Sequence, residues 1–258
     1  MLRSVIALAV VTALAGLSAV ALAEKEPSSV EIPNLIVRVS ASPPVAGTAA
    51  KPQPVALEFD SLEYTDSGQR SQLYTRTLAY RFSGFSFHPG AFAKCRESKL
   101  EKSGPKACPK ASRLGTGTAV ADARPTVPDK IKANVVAFNG MLDVDSEGKP
   151  ITPVPAVLIL AAAPGGLKAY VPVLFKGGDR LVTAERPAPQ DGQPPPFTIV
   201  RLHLKVPVKT KTAGGKTVGY VEAPLSCPGG KWKFTQLNTA YSGEKLTATD
   251  TQPCVAAR

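Results

Sequence analysis

The chain has 258 residues, of which 43% are hydrophobic and 20% charged, and its formal net charge is +11. This composition excludes a disordered chain, which has few hydrophobic residues, and the length suits one all-β domain with a substantial core. The positive charge attracts anionic polymers through a long-range field but carries no information about the fold.

The first 23 residues have the organisation of a secretory signal peptide. Arg3 precedes an apolar run from Val5 to Val20, and Ala21-Leu22-Ala23 forms a small-x-small cleavage site. No cysteine lies near that site, and no later apolar run approaches the roughly 18 residues of a membrane span, so we expect neither a lipid anchor nor a transmembrane segment. The sequence predicts a signal peptide over 1–23, a single domain over 24–258, and a secreted protein that is extracellular or loosely associated with the cell envelope.

After the signal peptide, apolar and polar residues alternate in a pattern that is typical of strands. The clearest example is 197–210, where Val200, Leu202, Leu204 and Val206 alternate with a row of basic residues. Pro207 lies on the basic side and removes one donor from the hydrogen-bond ladder, so we expect this strand at a sheet edge or at a bulge.

Two further segments complete the predicted architecture. Residues 156–160 are apolar on both faces, as in a central strand, whereas the proline-rich 185–196 predicts a long exposed loop. About ten to twelve short strands separated by turns predict an all-β fold, namely a single β-sandwich domain that is Ig-like or jelly-roll-like.

Four cysteines, an even number, predict two disulfide bonds in an oxidising compartment. Three pairings are possible, and we favour Cys95–Cys108 with Cys227–Cys254 because each couple is close in sequence. Neither a Cys-x-x-Cys motif nor a Cys/His cluster is present, so a zinc site is not expected.

The segment from Cys108 to Gly117 has the pattern Cys-Pro-x-x-Ser-x-x-Gly-x-Gly. It is the most specific part of a resemblance, covering most of the mature chain, to a group of uncharacterised exported β-rich proteins of actinobacteria. The resemblance implies export, paired cysteines and β structure, and it implies no activity. Further matching segments are Phe92-Ala93-Lys94-Cys95, Val136-Ala137-Phe138-Asn139-Gly140 and Trp232-Lys233-Phe234.

No catalytic motif is complete. The Gly-x-Ser-x-Gly elbow is missing, the two histidines, His88 and His203, have no predicted partners, and Ser-x-x-Lys occurs at 103–106 and 242–245 without an apolar helix. We therefore assign no catalytic residue and no cofactor. A pair of carboxylates brought together by folding would still allow a secreted polysaccharide-acting hydrolase, which is the alternative hypothesis.

Two other patterns favour structural roles over binding. Asp143 to Gly148 alternates oxygen ligands as in a calcium loop, but Val154 stands where a bidentate Glu is needed, so an acidic turn is expected and no metal site is assigned. Trp232 follows Cys227 closely, and we expect it to pack in the core near that cysteine rather than to stack on a sugar.

The basic row of the 197–210 segment is the best candidate for a binding surface. Alternate residues of a strand stand about 7 Å apart and can follow an anionic polymer, although lysines also protect an edge strand from aggregation. The leading hypothesis is a non-enzymatic binding or structural protein that adheres to anionic wall polymers or polysaccharide; nucleic acid is not expected as a partner. The predicted ligand-binding residues are Arg201, His203, Lys205, Lys209 and Lys211.

Overall fold

The computed structural model describes residues 31–71, 73–124, 129–145, 147–184, 198–213 and 215–257. The predicted signal peptide over 1–23 and the predicted loop over 185–196 lie outside the described residues and stay predictions. Residues from Glu31 onward form one unit. Among the described residues, no helix is both long and apolar enough to cross a membrane.

Strands dominate the described chain, as the alternating pattern predicts, and a short helix, α1 (Glu97–Ser103), interrupts them after β5. The strands are β1 (Asn34–Ser42), β2 (Ala56–Tyr64), β3 (Thr75–Phe82), β4 (Ser86–Phe87), β5 (Cys95–Arg96), β6 (Arg113–Asp122), β7 (Ile131–Val144), β8 (Pro150–Ala162), β9 (Lys168–Phe175), β10 (Arg180–Thr183), β11 (Thr198–Val206), β12 (Thr210–Ala213), β13 (Lys216–Gly219), β14 (Val221–Glu222), β15 (Lys231–Ala240) and β16 (Lys245–Pro253).

Eleven of these strands form one antiparallel sheet that curls into a nearly closed barrel, in the order β1-β2-β11-β6-β7-β8-β9-β10-β3-β15-β16. The predicted all-β class is confirmed, but the predicted sandwich is wrong, because the strands form one continuous sheet rather than two stacked ones. Both architectures bury one face of each strand, so the alternating pattern is the same in either.

The barrel closes between β1 and β16 through side chains. An odd number of alternating strands gives the two end strands the same direction, and the bridge just beyond their ends, between Val45 and Val255, is indeed parallel. Asp250 Oδ2 accepts a hydrogen bond from the Val39 amide at 2.7 Å, and Gln252 Oε1 accepts one from the Ala41 amide at 2.6 Å. These side chains satisfy backbone donors that an open edge would expose.

Strand β11 lies between β2 and β6, so the prediction that it runs at a sheet edge is wrong. Pro207 does not disturb the sheet because the strand ends at Val206. The register of β11 against β6 does shift between Ile199 and Arg201. Residues 156–160 lie within β8 between β7 and β9, which confirms the predicted central strand.

Both predicted disulfide pairings, Cys95–Cys108 and Cys227–Cys254, are confirmed. Paired cysteines are typical of oxidising compartments. Trp232 is 2% exposed, its indole N–H donates to the Ser226 carbonyl at 3.1 Å, and its ring centroid is 5.1 Å from that of Phe85. The expected core position of this tryptophan is therefore confirmed.

The first disulfide belongs to a lobe in which α1 packs against β7. The Ser98 amide and hydroxyl donate to the Asp143 carboxylate at 3.0 and 2.7 Å. Beside them Glu97 is only 5% exposed, and its Oε2 accepts no hydrogen bond from the described residues. Burial, together with the nearby Glu101 and Asp143 charges, raises the pKa of Glu97 to about 7.

Candidate polyanion-binding surface

The part of the predicted basic row that lies on β11 is paired with acids of the neighbouring strand β2. Arg201 makes two hydrogen bonds to Asp60, at 3.0 and 2.9 Å, and this carboxylate raises the pKa of the guanidinium. Lys205 Nζ lies 3.0 Å from Glu58 Oε1, and His203 Nε2 lies 3.5 Å from the same oxygen.

These contacts give the β11 cations a structural explanation. Opposite charges on adjacent strands contribute roughly 0.2–1 kcal/mol per pair, and each pair reduces the positive field available to an external anion. Protection of a sheet edge does not explain Arg201 and Lys205, since β11 has a neighbour on each side. The predicted ligand-binding role of these two residues and His203 stays a prediction.

The other two residues of the predicted row, Lys209 and Lys211, lie beyond the end of β11. Lys209 falls between β11 and β12, and Lys211 lies on β12, which pairs with β13 in an antiparallel hairpin. Lys216 lies at the start of β13, opposite Ala213. All three charged residues from 209 to 219 are lysines, so the hairpin and its approach contain no acid.

A hydrogen bond joins this hairpin to a second basic segment. Lys209 Nζ donates to the Ala111 carbonyl at 3.3 Å. Ala111 is the middle residue of a 3-10 turn, Lys110–Ser112, that leads into Arg113 at the start of β6. The 3-10 turn that contains Lys106 immediately precedes Cys108, whose disulfide anchors this segment to β5.

We call the cations of these two segments the basic patch. Five of its six members are exposed and Lys209 is half-buried. In the described part of the chain, none of them lies within 4.0 Å of an acidic group, in contrast to Arg201 and Lys205. The patch therefore presents uncompensated positive charge. Its members are Lys106, Lys110, Arg113, Lys209, Lys211 and Lys216.

The sequence reasoning found two of these residues and missed Lys106, Lys110, Arg113 and Lys216. It followed the alternation of a single strand and could not see that Lys209 reaches a segment 98 residues away. A signal was nevertheless present, because seven of the nine charged residues from 94 to 113 are basic.

The structure also assigns roles to the other polar candidates. His88 Nε2 lies 2.9 Å from Glu222 Oε2, and Glu222 Oε1 accepts from the Gly219 amide at 2.9 Å, so this pair fastens β14 beside β4. Asp145 Oδ1 accepts hydrogen bonds from the amides of Glu147 and Lys149, so this carboxylate caps the predicted acidic turn.

The described residues give little support for a metal site or for general acid catalysis. Within the ranges that the structure describes, no group of three or more His, Cys, Asp or Glu side chains is arranged to hold a metal ion. Glu97 has the raised pKa of a general acid, but it is buried in the first turn of α1 at 5% exposure and is not open to a polymeric substrate. No known protein family, curated protein or solved structure matches this chain.

Proposed function

We propose that this protein is a non-enzymatic binding protein of the extracellular space or cell envelope that adheres to phosphate-bearing anionic polymers through the basic patch. The single observation that carries this proposal is the contact of Lys209 with Ala111, at 3.3 Å, which joins two basic segments that have no acidic partner in the described chain.

Several features suit a repeating polymer better than a single small anion. The six cations are spread over two 3-10 turns, the start of β6, and the β12–β13 hairpin with the residues that lead into it. A chain of anionic groups can contact several of them at once. Each contact releases a condensed counterion, so binding strengthens with the number of contacts and weakens as salt rises.

Five of the six cations are lysines, and this favours phosphate over carboxylate. A lysine ammonium acts as a point charge and is a common phosphate ligand, whereas planar, bidentate recognition of carboxylates favours arginine. The segments 105–113 and 209–219 contain no aromatic residue, so they offer no platform for stacking nucleic-acid bases. The proposed partner is accordingly a phosphate polymer without bases.

The two basic segments are held in place before any ligand binds. Cys108 is fixed by its disulfide to Cys95, and four cross-strand pairs fix the register of β12 against β13. A surface that needs little ordering loses less conformational entropy on binding. This favours adhesion by the folded domain rather than by an unstructured basic tail.

The proposal is tested with inorganic polyphosphate as the probe and the disulfide-bonded protein. By analogy with DNA, six phosphate contacts predict that affinity falls by about 10³ between 50 and 200 mM salt. A triple variant, Lys209→Gln, Lys211→Gln and Lys216→Gln, should bind far more weakly and show about half the salt dependence.

A matched control removes the same charge elsewhere. Lys231, Lys233 and Lys245 are exposed on β15 and β16, and their joint replacement by Gln should leave polyphosphate affinity within about twofold of the unmodified protein. Equal losses in the two triple variants would show that net charge alone attracts the probe and would refute a localised site. Salt-independent binding would refute electrostatic adhesion.

A further inference from the structure

The barrel contains an apolar cavity that the proposed adhesion does not use. Its volume is about 80 Å³, and it is partly open to the outside. The wall is built by strands from around the barrel and includes Phe59, Tyr80, Phe82, Val173, Leu204 and Val206. Among the described lining residues there is no charged side chain and no amide, and the hydroxyls are those of Tyr80 and of Tyr220, which donates to Asn139 at 3.3 Å, so the wall offers no partner to an ionised group.

The wall of the cavity includes a pair of packed aromatic rings. The rings of Phe59 and Tyr80 meet edge to face with centroids 5.0 Å apart, and burial raises the pKa of Tyr80, so its phenol stays neutral. Opposite Leu204 on β6 stands Gly117, which contributes no side chain to the interior. A Cβ at Gly117 would lie 1.8 Å from the His203 carbonyl oxygen, so the close approach of β6 to β11 beside Leu204 requires glycine at this position.

The volume limits what can enter. An engineered apolar cavity of about 150 Å³ holds benzene, which has six carbons, so a space of about 80 Å³ corresponds to a chain of three or four carbons. Water is not stabilised in such a space, because it needs two to four hydrogen-bond partners, whereas apolar cavities bind apolar molecules. Burial of each methylene group favours binding by about fourfold.

We propose that this cavity binds the terminal alkyl group, three or four carbons long, of a larger uncharged or amphipathic molecule whose polar part stays outside the barrel. The partly open wall lets the rest of such a molecule remain in solvent. The site is independent of the basic patch, so the failure of either proposal leaves the other standing.

The experiment titrates the disulfide-bonded protein with the straight-chain alcohols from ethanol to 1-hexanol and follows the methyl signals of Val157, Ile159 and Val173, which line the cavity. The expected result is a rise in affinity of about fourfold per carbon up to about four carbons, followed by a plateau. The methyls of Ile32 and Val255, which are exposed, should not shift.

Two valines near the end of β11 give a matched pair of variants. Val206 lines the cavity, whereas Val208 is 47% exposed outside it. Val206→Phe should abolish the chain-length dependence, and Val208→Phe should preserve it. If Val206→Phe does not fold, the smaller change Val173→Ile should make the affinity stop rising at an alcohol about one carbon shorter.

Three results would overturn the inference. The first is the absence of shifts at the lining methyls near the solubility limit of 1-hexanol. The second is an affinity that keeps rising beyond four carbons to the same extent in both phenylalanine variants, since that behaviour indicates adsorption to the surface. The third is an unchanged plateau in Val173→Ile.

Discussion

Replacing Glu97 by Gln should change how the stability of the protein depends on pH. Glu97 is 5% exposed, and burial together with Glu101 and Asp143 raises its pKa from 4.5 to about 7. The folded protein therefore holds a proton on this carboxyl at pH values where the unfolded chain has released it. The stability that this proton confers is fully present below pH 4.5 and is lost as pH rises to about 7.

The size of the effect follows from that shift. Each pKa unit corresponds to about 1.4 kcal/mol, so the ionised Glu97 destabilises the fold by about 3 kcal/mol above pH 7 relative to the protonated form. Glutamine has the shape of the protonated acid and does not ionise. Glu97→Gln should therefore match the unmodified protein near pH 4.5 and exceed it by about 3 kcal/mol near pH 8.

The assay is urea unfolding at a series of pH values, followed by the fluorescence of Trp232, the only tryptophan of the chain. The difference in unfolding free energy between Glu97→Gln and the unmodified protein should grow between pH 4.5 and 7 and then level off. Glu147→Gln, on an exposed turn, should show no such growth. Parallel curves for Glu97→Gln and the unmodified protein would refute the reasoning about the buried carboxyl.

Two further predictions concern how the barrel closes. Asp250→Ala removes the acceptor of the Val39 amide between β1 and β16, so the unfolding free energy should fall by about 1–3 kcal/mol. The Val39 amide should then exchange its hydrogen rapidly. Unchanged exchange would contradict the role of the Asp250 side chain. Gly117→Ala places a Cβ 1.8 Å from the His203 carbonyl oxygen and should lower the melting temperature sharply or prevent folding. Gly90→Ala, which has open space around it, is the control, and equal melting temperatures for the two variants would contradict the close approach of β6 and β11.

Local sequence patterns predicted the parts of the fold that depend on neighbouring residues. The alternation over 197–210 identified β11 and its inward face, and the doubly apolar 156–160 identified the central position of β8. The two cysteine pairs followed from short separations, 13 and 27 residues. In each case the residues on which the prediction depends lie within one short segment of the chain.

Closure of the barrel and the composition of the site depend on contacts between distant segments. Alternation shows that one face of β11 is buried but not that β2 and β6 flank it. Arg201 meets Asp60 across 141 residues, so a residue that is predicted to bind a ligand also belongs to an ion pair, which the pattern of one strand does not show. Lys209 reaches Ala111 across 98 residues and so assembles the basic patch, which no single strand reveals.

The most direct test of adhesion through the basic patch is to follow the side-chain ammonium signals of the lysines while polyphosphate is added. We predict that Lys110, Lys209, Lys211 and Lys216 shift together and saturate, and that these shifts disappear at high salt. Lys205, paired with Glu58, should respond weakly. Uniform shifts of all exposed lysines, or shifts that spare these four patch members, would contradict the account.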